Sequence, residues 1–348
     1  MTIRVRPADL SVERDAILAV LSRNLAAFDH GARFSWLYLN NPCGQGLSWV
    51  VYDTNPDNIV GVASLFPRAV RVGGKTMLCG QVGDFAVDQK YRTLGPALML
   101  QRATFGPVAA GQMAFCYDCP PHEQGMSTFH RLGMKAQCQM VRYALLIRCD
   151  RKVEKLLGPR IANLGVAALV NLLLSIGQGK RRHAAGVDIS RHFGQFGQEF
   201  SELDVKGFHS NVIRGRRLAE DLNWRYRDDP LRSYRVITAR RAGELVAYAV
   251  SSVIEKDAYL VDMRNVDEPS VIVDLLQAMA DEVKADLAQA LQCMISDSHG
   301  MREMCEMAGL QYRSVAPRVV AYTSPGADSF SKLNAKLSWD FMHGDVLA

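Results

Sequence analysis

A chain of 348 residues with 48% hydrophobic and 22% charged residues has the composition of an ordinary globular protein, and its length suits about two domains. The formal charge of +5, from 41 Lys and Arg against 36 Asp and Glu, comes without long single-sign runs, so no nucleic-acid partner is expected. A modest positive bias suits a polyanionic small ligand.

The opening Met1-Thr-Ile-Arg-Val-Arg-Pro7 lacks the apolar core of a signal peptide and reads as a first strand, which points to the cytoplasm. The eight cysteines are scattered through apolar stretches, as reduced core thiols would be. Cys116-Tyr-Asp-Cys119 is a lone CxxC with no second pair or His pair at zinc spacing, so it reads as part of a buried strand and no metal is expected.

The most informative feature is an internal repeat at long period. Trp36-Leu-Tyr38-Leu-Asn40-Asn41-Pro42 recurs as Trp224-Arg-Tyr226-Arg-Asp228-Asp229-Pro230. Each copy is followed by a hairpin of β-branched and aromatic residues around a polar turn: Ser48–Tyr52 with Ile59–Ser64, and Tyr234–Thr238 with Leu245–Ser251. Asp84 then corresponds to Asp262, the strand Met113–Tyr117 to Gln292–Ser296, and the helix ending at Gly133 to the one ending at Gly309. Both halves therefore read β-α-(α)-β-β-β-α-β-α-β, an α/β module with a mostly antiparallel sheet flanked by helices. The expected division is a first domain over 1–150, a helical linker over 151–219, a second domain over 220–325 and a tail over 326–348. Within the linker, Ile161–Ile176 is too short and too interrupted by polar residues to span a bilayer. The basic Lys180–His183 after it leaves two readings: a buried interdomain helix, or an interfacial one resting weakly on anionic lipid through 161–183, at the periphery of the inner membrane.

Between Phe85 and Ala103 a strand feeds a short basic turn that opens a helix, an arrangement that aims free backbone N–H groups at a phosphate. Gly95 lets the backbone come close to such a group, Arg92 adds charge, and Pro96 suits a first helical turn. This segment resembles the CoA-binding signature of the GNAT (N-acetyltransferase) superfamily, a hydrophobic-x-Val strand followed by [RQ]-x-x-G-x-[GA], matched here by Arg92-Thr93-Leu94-Gly95-Pro96-Ala97 after Val87. The resemblance implies that Phe85, Ala86 and Val87 pair with the pantetheine arm and that Arg92 to Ala97 hold the pyrophosphate of acetyl-CoA or another acyl-CoA. Phe129-His-Arg-Leu-Gly133-Met134 is similar to the family's closing motif, with Phe129 where many members have a proton-donating tyrosine. The second half lacks the loop: Arg264–Ser270 has no glycine at that place and carries Asp267 and Glu268. Among relatives, the tandem repeat looks most like double-GNAT proteins of bacterial polysaccharide and cell-envelope assembly.

Transfer from a thioester to an amine needs a base and a proton for the thiolate. Asp84 is the first candidate base, since burial beside Phe85 and Val87 would raise its pKa; His130 and His122 are further titratable groups near the cleft. By resemblance, Tyr117 and Asp118, at the end of the fifth strand, would orient the acceptor or supply the acid. The expected function is acyl-CoA-dependent N-acylation of a small-molecule amine, an amino sugar or envelope precursor. The alternatives are a non-catalytic binding or assembly protein of this fold, and a transferase taking long acyl chains from acyl carrier protein at the membrane surface.

Overall fold

The computed structural model describes residues 3–26, 29–55, 57–121, 123–150, 153, 184–207, 211–324 and 337–346. Residues rich in β-branched and aromatic side chains form β1 (Arg4–Pro7), β2 (Leu47–Tyr52), β3 (Ile59–Val72) and β4 (Lys75–Val87). Gly73 and Gly74, at φ of 52° and 94°, make the two-residue turn that closes β3 on β4. β5 (Cys116–Asp118) and β6 (Ala136–Leu146) complete the strands of the first half; β7 (Val187–His192), β8 (Val212–Gly215), β9 (Tyr234–Arg241), β10 (Glu244–Ile254), β11 (Asp257–Asn265), β12 (Ala290–Ser296), β13 (Gln311–Tyr322) and the short β14 (Ser338–Trp339) follow.

The strands form one continuous sheet in the order β1-β2-β3-β4-β5-β13-β6-β12-β11-β10-β9-β7, with β8 joined to β3 and β14 to β8. The order is a palindrome of the repeat. β1 to β5 answer to β7 and β9 to β12, and the two closing strands have changed places: β13 lies antiparallel to β5, with Val320 opposite Asp118, and β6 lies antiparallel to β12, with Ser296 opposite Met140. Each half's sheet is therefore finished by the other half's chain. β6 and β13 also pair with each other at the centre, Val319 opposite Cys138.

Helices cover the sheet where apolar residues recur at helical spacing. In the second half the helix Pro269–Lys284 buries Val271, Leu275, Leu276, Met279 and Val283 against Ile237, Ala249, Leu260 and Leu291. Each such residue contributes about 1.5–3 kcal/mol of burial. In the first half α1 (Arg14–Asn24) puts Ile17, Val20 and Leu21 into a cluster with Val50, Val62 and Phe66, and α3 (Leu94–Thr104) buries Leu100 against Val51, Val60 and Ala63. The repeated tryptophans meet. Trp36 and Trp224 stack with centroids 5.0 Å apart and planes 24° from parallel, and each indole N–H donates to the other's backbone carbonyl, at 2.7 and 3.1 Å. The two copies of the motif thus form one reciprocal joint between the halves.

The segment 151–219, read from sequence as a helical linker, is not simply helical. Its described part holds β7, which pairs along β9 as the counterpart of β1, the helix Gln198–Lys206, and β8, which extends β3. The short alternation Val187-Asp-Ile-Ser-Arg-His192 suits an edge strand with one wet side. The apolar stretch 161–176 and the basic Lys180–His183 lie outside the described residues. Among the described residues no helix is long and apolar enough to cross a membrane.

Candidate active site

β4 carries a bulge: Val62 pairs with Ala86 and Ser64 with Gly83, so Asp84 and Phe85 together face Ala63. Asp84 takes φ of 48°, uncommon for a residue with a side chain, and this turns its carboxylate inward. There it pairs with the Arg33 guanidinium and accepts the Tyr38 hydroxyl at 2.6 Å. Tyr38 in turn stands 3.1 Å from the Ser64 hydroxyl, itself 2.9 Å from that of Ser48. Burial and the Asp84 charge both push the Tyr38 phenol well above its ordinary pKa. Asp84 is therefore not a free base. It anchors the bulge in a buried ion pair, whose breakage costs about 3–5 kcal/mol. The same device stands in the second half with different chain supplying the cation: Asp262 binds Arg217 at 2.7 Å and accepts from the Tyr226 and Tyr248 hydroxyls at 3.2 and 3.3 Å.

Past the bulge, β4 and β5 part. Their parallel pairing consists of Gly80 opposite Cys116 and Gln81 opposite Tyr117; from Val82 onward the β5-side edge of β4 has no strand partner among the described residues. The side chains of Ala86 and Val87 are buried and Phe85 is half-buried, so what β4 offers there is backbone. The strand then enters the turn Gln89–Tyr91 and, at Leu94, helix α3. The cap residue Thr93 is extended and its side chain makes no capping bond, so the first N–H groups of α3, at Leu94 and Gly95, have no side-chain cap. Thr93, Leu94 and Gly95 are exposed, Ala97 is half-exposed, and a Cβ built on Gly95 meets nothing within 4 Å. Pro96, by contrast, is buried and braces the turn from below.

The turn is gripped by α1. Arg23 holds Asp88 at 2.8 Å, Asn24 donates to Asp88 at 2.6 Å, and the Arg92 guanidinium donates to Asn24 Oδ1 and to the Val87 carbonyl, both at 2.9 Å. Arg92 thus shapes the turn as well as adding charge to it, a role that spacing alone does not reveal. Arg23, Asn24 and Arg33 are the residues the sequence analysis missed; the first two end α1 and Arg33 sits on the short helix His30–Phe34, all more than forty residues from the groups they hold.

Asp118 ends β5, just beyond the last pairing with β4. It is half-buried, accepts the Cys119 N–H at 2.7 Å, and has no ion-pair partner among the described residues. Burial pushes its carboxyl up to about 7. Strand alternation sends the neighbouring Tyr117 to the opposite face, where its hydroxyl donates to the Asp345 carbonyl at 2.8 Å and its ring packs against Trp339 and Phe341. Burial holds the phenol far above its ordinary pKa, so Tyr117, expected as an acid or orienting group, is a packing residue. His130 is exposed in the last turn of α5 (Glu123–Arg131), while Phe129 beside it is buried against Cys116, Met126 and Val320. Among the described residues, His130 makes no side-chain hydrogen bond or ion pair with the other candidates. His122 lies outside the described residues. Of the four expected catalytic groups, Asp118 alone stands where the strands part with a carboxyl that is both titratable and uncommitted.

The second half has the parting without the turn. Asp267 and Glu268, just before the helix Pro269–Lys284, both pair with Arg241, at 2.6 and 3.1 Å, so two carboxylates stand beside that helix start where α3 has none.

Comparison with known proteins agrees with this geometry. Residues 11–131 match the family model described as an acetyltransferase (GNAT) domain. Similar folds include a conserved protein of unknown function from Enterococcus faecalis V583 described as a probable N-acyltransferase (TM-score 0.66, 11% identity, 93% of this chain and 72% of that one). They also include a GCN5-related N-acetyltransferase from Anabaena variabilis (TM-score 0.62, 10% identity, 92% and 72%) and Saccharomyces cerevisiae N-myristoyltransferase with bound myristoyl-CoA (TM-score 0.60, 9% identity, 92% and 82%). At such identities the likeness speaks for the fold, and it extends over both halves. No curated protein matches the chain in sequence. With its bulged β4 and its parted β4 and β5, the first half of the chain is similar over residues 11–131 to the acetyltransferase (GNAT) domain.

Proposed function

We propose that this protein is an N-acyltransferase that takes an acyl group from acetyl-CoA or another acyl-CoA bound to its first half and passes it to the amine of a small molecule, with Asp118 moving the proton. The observation that carries the reading is the coincidence, at one end of β4, of an unpartnered strand edge, an uncapped helix start and a half-buried carboxyl with no counter-ion among the described residues. The residues fit the cofactor: two N–H groups without a side-chain cap and the open space over Gly95 suit a pyrophosphate, and the edge of Val82–Val87 suits an amide-bearing pantetheine arm. The thioester supplies an activated acyl carbon. The attacking amine must lose a proton and the departing thiolate must gain one; a carboxyl titrating near neutrality can accept the first and return it as the second. That economy answers the absence of a phenol at Phe129, which is buried and apolar. An amino sugar or other envelope precursor is the acceptor class we favour, on the likeness of the tandem motif to double-GNAT proteins of that kind, and a cytoplasmic location goes with it.

Gly95→Glu tests the site. The new side chain meets no atom near its Cβ, and replacing glycine inside a helix is neutral to stabilising, so the fold should stand. A carboxylate placed beside the N–H groups should cut acyl-CoA affinity at least about tenfold, the effect of ~1.4 kcal/mol of repulsion, in calorimetric titration. Unchanged affinity, or no acyl-CoA binding by the unaltered protein, would end this reading and favour a non-catalytic binding role.

A further inference from the structure

The palindrome of the sheet requires a second parting, between β11 and β12, and there the molecule has placed part of its own chain. β11 and β12 pair in parallel from Asp257 opposite Ala290 to Leu260 opposite Cys293 and then separate, as β4 and β5 do. After β14, which runs beside β8, the segment up to Val346 enters this gap. The Ser296 N–H donates to the Phe341 carbonyl at 2.9 Å, the Ser296 hydroxyl donates to the Trp339 carbonyl at 2.5 Å, and Met342 bridges Ile295 in antiparallel fashion. Those bonds use the edge of β12 that β11 has left.

On the other side the segment lies against β11. Gly344 sits so close that a Cβ would stand 2.8 Å from the Val261 carbonyl and 2.5 Å from the Tyr226 hydroxyl. Met342, 1% exposed, reaches through to the core shared by Cys293, Ile295 and Met263. Charge fixes the ends. Asp345 binds Arg217 at 2.6 Å, so one guanidinium serves both this segment and the bulge carboxylate Asp262, and Asp340 lies 3.2 Å from His299 and 3.6 Å from Arg264. An apolar side chain through the gap, backbone bonds along one strand edge and close backbone contact with the other are what an extended ligand threaded between two parted strands would make.

We propose that Ser338–Val346 is a built-in occupant of the second half's cofactor cleft: it takes the place that an acyl-CoA arm would fill, so the chain carries one acyl-CoA site and uses its second as a socket for its own tail. The loss of the phosphate turn is the other side of this exchange, since a cleft closed by chain has no use for an anion-binding helix start, and Asp267 and Glu268 stand there at no cost to function. The segment also touches the first half, where the Asp345 carbonyl accepts the Tyr117 hydroxyl and Trp339 packs on Phe115, so the socket ties β5 to β12. The count of one acyl-CoA per chain rests on the proposed function; the seating of the segment does not.

Hydrogen exchange on the full chain, followed residue by residue, together with acyl-CoA titration, tests the proposal. In the unaltered protein the amides of Ser296, Phe341 and Met342 should exchange as slowly as those at the centre of β12, and titration should saturate at one acyl-CoA. Gly344→Ala, which cannot fit beside Val261 and Tyr226, should speed exchange at those three amides at least about tenfold, which is ~1.4 kcal/mol of local opening. It should leave β2 to β4 protected and the single acyl-CoA bound within about twofold of its original affinity. The proposal is overturned if the three amides of the unaltered protein exchange like an exposed tail, if Gly344→Ala leaves them unmoved, or if either protein takes up two acyl-CoA. Should the unaltered protein bind none, the reading of the first half fails, and the exchange data alone decide where the segment sits.

Discussion

Replacing Asp118 by Asn should make the protein more stable and less active at once, with a stability gain that grows with pH. The carboxyl is raised from 3.8 to about 7 by burial, so the folded state prefers the protonated form. Stability from that preference is complete below the unfolded value and is lost as pH rises through the folded one. Integrating a shift of this size at ~1.36 kcal/mol per unit puts the cost of the ionised group at about 2 kcal/mol at pH 5 and about 4 at pH 8; because the residue keeps some contact with solvent, we take half of each. At about 2 °C per kcal/mol for a chain of this size, Asn should raise Tm by about 2 °C at pH 5 and about 4 °C at pH 8. In the same protein, acyl transfer measured by thiol release should fall by about 10²- to 10⁴-fold, and the rise in kcat/KM through pH 7 expected with Asp118 should be absent. A Tm gain equal at the two pH values would show that no strained carboxyl sits at the end of β5. Activity within about threefold of the original would show that the proton moves elsewhere.

Two further substitutions probe the joint between the halves. Arg217→Met leaves Asp262 and Asp345 buried without their cation and should cost about 3–5 kcal/mol in urea unfolding, whereas adding Asp345→Asn should recover part of that loss. Trp224→Ala should cost about 3–5 kcal/mol, because it removes the partner of Trp36 and the ring beneath the Arg68 guanidinium, 4.6 Å from its centroid; a cycle with Trp36→Ala should show at least ~0.5 kcal/mol of coupling between the two indoles.

Much of the first half was readable along the chain because its signals are local. The strand–turn–helix from Phe85 to Ala97 writes its geometry in consecutive residues, and the repeated Trp-x-Tyr motif survives as a pattern although its partner lies in the other half. What could not be read was pairing across the fold. Asp84 looks like a base beside a cofactor strand until Arg33 and Tyr38 are brought to it, and no spacing rule links those positions. The second half makes the point sharper: Asp262 is held by an arginine at a position unrelated to that of Arg33, so the two halves reach the same ion pair by different routes. β7 hid in a stretch read as helical because six residues with two apolar members carry little pattern. Asp118 drew attention only through its place after the fifth strand; that no cation among the described residues pairs with it is a fact of the fold and not of the sequence.

The exchanged closing strands have a consequence for synthesis. β5 is finished by β13, which is made almost 200 residues later, so a ribosome that has released the first half has released an incomplete sheet. At about 5–20 residues per second the wait is on the order of ten seconds or more, during which the open edge of β5 and its apolar neighbours face the cell. A chain of this design gives up the usual safety of folding its first domain first, and its two halves become folded together or not at all.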